Sequence, residues 1–172
     1  MALCAALTSD ILFGCDVGVG GEKELYLIEL ENITSYTESS GTITAITKAA
    51  GKVFRRYQLV QETANFDEDI VGNLQNGTLY YDQKGLIVIN KQRVAVRNEI
   101  MLLAKNRVVA VVIDNDGNNK LYGRVNGLRT PSGKASSGTA WGDRNGYSIN
   151  LEGKEVELAP FVTDAVIATL QT

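Results

Sequence analysis

The chain has 172 residues, 44% of them hydrophobic, enough to bury one core, so a single domain spanning 1–172 is expected. Its 17 Lys and Arg against 20 Asp and Glu leave a net charge of −3, which argues against a free-standing nucleic-acid binder, since that needs a concentrated basic face. Histidine is absent, which removes histidine-based triads and His-containing zinc sites and leaves only carboxylate, lysine or thiol chemistry.

From the N-terminus, Met1 to Asp10 lacks the basic start of a secretory signal, so synthesis in the cytoplasm is expected. No run of about eighteen apolar residues is present to span a membrane as a helix. Cys4 and Cys15 could form a local disulfide, but in a cytoplasmic protein reduced thiols are favoured. Residues 1–23 read as a short apolar segment followed by a glycine-rich approach, together an extended or interfacial arm. Thr8 or Ser9 could cap a marginal helical turn there. Gly18-Val19-Gly20 neither follows a strand nor opens a helix, so it is not read as a nucleotide loop.

Glu24 to Ile33 is a strand candidate with apolar residues on both parities, which implies burial on two faces. Thr34 to Thr47, turning at Ser39-Ser40-Gly41, reads as a long hairpin with a threonine-rich tip. Ala49-Ala50-Gly51 breaks the chain, and Val53 to Thr63 forms the next strand. Phe66-Asp67-Glu68-Asp69 is read as a solvated acidic cluster, because cation loops space their oxygens and place a turn glycine among them. Asn76-Gly77 is a turn. Thr78 to Tyr81 and Leu86 to Ile89 are two strand pieces around Gln83-Lys84-Gly85.

The stretch Arg93 to Gly127 carries the strongest patterning. Val94, Val96, Ile100, Leu103 and Ala104 recur at steps of three and four, which predicts a basic amphipathic helix over about 92–106. Val108 to Ile113 then becomes a β-branched run, Asp114 to Asn119 turns, and Leu121 to Val125 returns, a hairpin signalled by Asp116-Gly117. Asn126 to Asn145, rich in glycine and serine, reads as a long loop holding Pro131 and the only tryptophan, Trp141. Such a loop in a compact domain is usually functional or interfacial. Gly146 to Leu151 alternates, turns at Glu152-Gly153 and returns to Pro160 as a second hairpin. Thr163 to Leu170 is an apolar tail, strand or helix. The sum is a mainly β (α+β) domain: an antiparallel β-sandwich or partly closed barrel of about seven to eight strands with one flanking helix.

Two stretches imitate known sites. Ser132-Gly133-Lys134-Ala135 resembles the end of a phosphate loop, but Gly127 is one position too far upstream and Ala135 replaces the magnesium-binding hydroxyl. Asp114-Asn115-Asp116-Gly117 resembles a calcium loop, but Val125 stands where a bidentate glutamate is needed. No nucleophile setting, cofactor or metal site is evident, and no enzyme is expected.

The succession of elements resembles a bacteriophage tail-tube subunit, similar to virion proteins of phages of Bacteroidetes-type hosts and to the tubes of injection systems. The residues that carry it are the helix Arg93 to Ile100, Val112 to Gly117, Leu121-Tyr122-Gly123, Asn126-Gly127-Leu128, Gly138-Thr139-Ala140, Gly142 to Tyr147, and Ser148 to Glu155. It covers about two thirds of the chain. The resemblance implies rings around a channel that passes DNA without specific binding, with other tail or neck proteins as further partners. It also implies a location in the virion tail after synthesis in the bacterial host. Contacts between copies would fall on Thr34, Tyr36, Thr37, Ser39 and Ser40, and on Arg129, Pro131, Lys134 and Trp141. The alternative is a non-catalytic β-sandwich binding module, such as a capsid decoration or carbohydrate-binding protein, with Trp141 and tyrosines stacking on sugar.

Overall fold

The structure is a computed structural model that describes residues 8–12, 14–15 and 17–172. Cys4, one half of the possible disulfide, and Met1 to Leu7 of the arm lie outside them; Cys15 is exposed. The protein is mostly strand, 49% against 12% helix, folded as a sandwich of two sheets rather than a closed barrel.

One sheet has seven strands. They are β1 (Glu22–Glu29), β2 (Ile33–Ser39), β3 (Thr42–Lys48), β4 (Arg55–Gln58), β7 (Val108–Asp114), β8 (Asn119–Tyr122) and β11 (Phe161–Val162), ordered β2-β3-β11-β8-β7-β1-β4. The other has four, β5 (Asn65–Asn73), β6 (Thr78–Asn90), β9 (Arg129–Ser136) and β10 (Gly146–Glu155), ordered β5-β6-β10-β9. All pairings are antiparallel except β3 with β11. The helices are α1 (Val94–Leu103) and α2 (Asp164–Thr169).

The β7 run explains the layering. Val108, Ala110 and Val112 join Leu25, Leu27, Ile87, Ile149 and Leu151 in the core between the sheets. Val109 and Val111 join Tyr26, Ile28, Ile43, Phe54, Val166 and Leu170 in a second core on the opposite face, closed by α2. A strand buried on both faces has no solvent side to mark with polar residues, so its apolar run is unbroken. The two-faced reading of Leu25 to Ile28 is borne out in the same way. Each fully buried aliphatic side chain contributes roughly 1.5–3 kcal/mol.

The β2–β3 hairpin and its turn are as expected, with Ser40 and Gly41 both at positive φ. So is the β7–β8 hairpin, where Gly117 has φ +86 and the Asp114 carboxylate accepts the Asn118 N–H at 2.7 Å.

Other expectations fail for identifiable reasons. Among the described residues there are eleven strands and two α-helices, more than the seven or eight strands and one helix anticipated. Residues 8–12 form no helical turn. The strand after Gly51 is only the four residues of β4, and the acidic cluster is strand β5. There Phe66 is buried and Glu68 accepts the Gln83 side-chain amide at 2.9 Å and the Ala159 N–H at 2.7 Å, so the cluster is not simply solvated surface.

Gly85 does not divide β6, which runs unbroken for 13 residues. The glycine makes room for the Phe66 ring, since a Cβ there would lie 2.5 Å from its Cε1. Likewise Gly153 does not turn the chain. β10 continues through it, paired with Gln83 of β6, and the glycine makes room for the Gly127 carbonyl oxygen, which would be 2.8 Å from a Cβ at that position. The supposed second hairpin is therefore one long strand between β6 and β9. The supposed long loop Asn126 to Asn145 contains β9, with Pro131 in the register shift opposite Asn150 and Glu152 on an open edge, where a missing N–H costs least.

Candidate assembly surfaces

The predicted contact residues divide between two sheet edges. Among the described residues β2 pairs only with β3; Thr34, Thr37 and Ser39 on it and Ser40 in the turn after it are exposed. Tyr36 differs. Its ring packs on the outer core under the Arg124 guanidinium, 5.6 Å from the ring centre. Its hydroxyl has no hydrogen-bond partner, and burial raises its pKa above the usual phenol value. Arg124 also pairs with Glu38 and, at 2.6 Å, with Glu157, so it fastens the hairpin to the segment after β10.

The second group lies on and beyond β9, the far edge of the smaller sheet. Arg129, Pro131 and Lys134 are exposed. Trp141 caps a loop that is itself well built: the Asp143 carboxylate accepts the Thr139 and Ala140 N–H groups, each at 2.8 Å. Those two bonds hold its pKa below the usual carboxylate value. Trp141 is fully exposed, at 105%, so it does not anchor the loop on the core. No hydrogen bond joins the two groups of residues among the described residues.

Further exposed apolar side chains lie on the arm, which the sequence already marked as extended or interfacial, and on α1, which it did not mark as a contact surface. In the described part of the arm Ile11, Leu12 and Val17 are 98%, 84% and 91% exposed, on chain without regular structure. Among the described residues the arm is hydrogen-bonded where it meets the β7–β8 turn: Asn115 donates its backbone N–H to the Gly21 carbonyl at 2.9 Å and its Nδ2 to the Gly20 carbonyl at 3.0 Å, and the Asp116 carboxylate accepts the Val19 N–H at 3.4 Å. The helix α1 buries only Leu103 and leaves Val94, Met101 and Leu102 exposed, so it flanks the sandwich rather than organising it.

The buried side chains of Glu155 and Gln83 are engaged structurally. Glu155 accepts the N–H groups of Val125, Asn126 and Gly127, at 2.8 Å for Asn126. Gln83 accepts the Gly123 N–H at 2.8 Å while donating to Glu68. Among the described residues no three carboxylate or thiol groups are placed to hold a metal ion. The phosphate-loop imitation lies within β9, and the calcium-loop imitation is the β7–β8 turn. No helix is long and apolar enough to cross a membrane among the described residues. Compared with known proteins, the chain matches no family model, and no curated protein or solved structure is significantly similar to it.

Proposed function

We propose that this chain is a structural subunit that assembles with copies of itself into a ring or tube, namely the tail tube or a tail or neck ring of a bacteriophage, enclosing a channel for DNA. The phage assignment rests on the sequence resemblance. The assembly part is carried by one observation: the uncovered apolar side chains of Ile11, Leu12 and Val17, on a sandwich whose edge strands β2, β4, β5 and β9 pair on one side alone among the described residues. Open edges and uncovered apolar side chains are what a neighbouring copy would complete. Contact through unlike surfaces closes into rings when the rotation closes.

Negative-stain electron microscopy of the purified protein over a concentration series is the test. Rings or tubes with a central hole are expected; uniform monomers at the highest concentration would overturn the reading. The full exposure of Trp141 favours one competitor, a glycan-binding module. That competitor requires Trp141→Ala to abolish glycan retention without altering oligomeric state.

A further inference from the structure

Three asparagines of the chain are followed by glycine, in Asn76-Gly77, Asn126-Gly127 and Asn145-Gly146. Asparagine is a thermolabile side chain, and glycine is the most permissive residue to follow it. With no Cβ in the way, the glycine backbone nitrogen can reach the asparagine side-chain carbonyl. Whether it does so depends on how the fold holds each pair.

Two of the pairs are clamped. Asn126 donates its side-chain amide to the Lys154 carbonyl at 2.7 Å and its backbone N–H to Glu155 at 2.8 Å. The buried Gly127 N–H donates to the same carboxylate at 3.3 Å. The Asn145 carbonyl accepts the Lys91 N–H at 2.6 Å, and Gly146 is buried between Asn90 of β6 and Ser136 of β9. A Cβ on Gly146 would collide with the Ile89 carbonyl oxygen. Asn76-Gly77 differs. It closes the turn from Leu74 to Gly77 that joins β5 to β6, and both residues are exposed. The Asn73 side-chain oxygen accepts the Gln75 and Asn76 N–H groups at 3.0 and 3.2 Å, which fixes the start of the turn. Among the described residues the Asn76 side-chain amide and the Gly77 N–H have no hydrogen-bond partner, and a Cβ on Gly77 would meet nothing within 4 Å. Strand pairing ends at Asn73↔Thr78, so this pair can rearrange without breaking the ladder.

We propose that Asn76 is a site of spontaneous modification, at which the free Gly77 nitrogen attacks the asparagine side-chain carbonyl carbon. The new N–Cγ bond closes a cyclic imide, the Cγ–Nδ2 bond breaks, and the amide leaves as ammonia together with the proton of the Gly77 nitrogen. Water then adds to one of the two imide carbonyls. Opening at Cγ leaves an aspartate; opening at the main-chain carbonyl leaves an isoaspartate, whose backbone is one methylene longer. Water is the sole co-reactant. Either product puts a negative charge on the turn that also carries Leu74, whose side chain is fully exposed.

The test ages the full chain at neutral pH and physiological temperature, beside a sample held unfolded in denaturant, and follows both by peptide mass spectrometry. In the folded protein Asn76 should show the amide-to-acid mass change at least about tenfold faster than Asn126 or Asn145, because those two convert only after local opening. In denaturant the three should convert at similar rates, since glycine follows each. Asn76→Gln, which would have to close a larger and less favourable ring, should remove the fast conversion. Its position is exposed, so thermal unfolding should not change. Fastest conversion at Asn126 or Asn145, or equal rates at all three in the folded chain, would overturn the assignment. So would an Asn76 that survives in the folded chain while the unfolded chain converts.

Discussion

Glu155, at 2% exposure, takes backbone N–H groups of the Val125–Gly127 turn in place of a cationic partner. Removing it leaves the buried Gly127 N–H and the part-buried N–H groups of Val125 and Asn126 without this acceptor, and a fully buried donor left unpaired costs about 1–3 kcal/mol. Glu155→Ala should therefore destabilise the fold by about 3 kcal/mol, and Glu155→Gln, which keeps one acceptor oxygen, by less, both read from denaturant midpoints. Gly85 should be similarly intolerant. Gly85→Ala forces the Phe66 ring to move and should cost about 1–3 kcal/mol, the usual range for overpacking. Adding Phe66→Leu should then cost less than Phe66→Leu alone, a coupling that a double-mutant cycle measures.

Glu22 gives a pH signature. Burial first, then the nearby carboxylates Asp114 and Asp67, raise its pKa above the ordinary 4.5, against the opposing pull of Lys120 and the Phe66 N–H. One of its carboxylate oxygens is buried without a partner. A folded-state pKa above the unfolded one favours folding below the ordinary value, and the benefit is lost as pH rises through the raised value. Glu22→Gln should accordingly stabilise the protein at pH 7 and make little difference near pH 4, where Glu22 itself is protonated. An equal effect at both pH values would exclude this electrostatic cause.

At the scale of elements, α1 shows how a pattern can be legible while its role is not. The three-and-four spacing correctly signals a helix, yet it packs through Leu103 and Ile100 near its end, and Arg93 at its start contributes no side-chain cap. Arg93 has the extended backbone of a cap position, so Arg93→Ser should stabilise the protein by about 1 kcal/mol, raising the unfolding midpoint. The β2–β3 and β7–β8 hairpins were readable because their turns need positive φ at Gly41 and Gly117, which local sequence advertises. Gly85 and Gly153 misled for the same reason. They look like turns, but they serve close approaches to Phe66 and to the Gly127 carbonyl, partners distant in sequence. β9 hid behind Gly133 and Pro131, tolerable on an open edge. Of the contact residues, sequence placed an exposed group on β2 and another around β9, but not the packing of Tyr36 against Arg124, which depends on a partner 88 positions away.

Over the whole molecule, the stability and the proposed assembly surfaces are separable. Both cores lie against the larger sheet, whereas Ile11 and Leu12 of the arm contribute little to them, being 98% and 84% exposed. Replacing apolar side chains that touch nothing shifts stability by no more than about 0.5 kcal/mol. The double variant Ile11→Asp, Leu12→Asp should therefore unfold at the same temperature as the unaltered chain, within about 2 °C for a protein of this size. Its assembly should change strongly if a neighbour covers those two side chains, because burying each carries roughly 1.5–3 kcal/mol and burying a carboxylate in its place is unfavourable. A rise of tenfold or more in the concentration needed for rings, with unfolding unchanged, would assign the arm to the interface. Unchanged assembly would remove the arm from it and leave the open sheet edges as the proposed contacts between copies. A large fall in unfolding temperature would show instead that the arm completes its own sandwich.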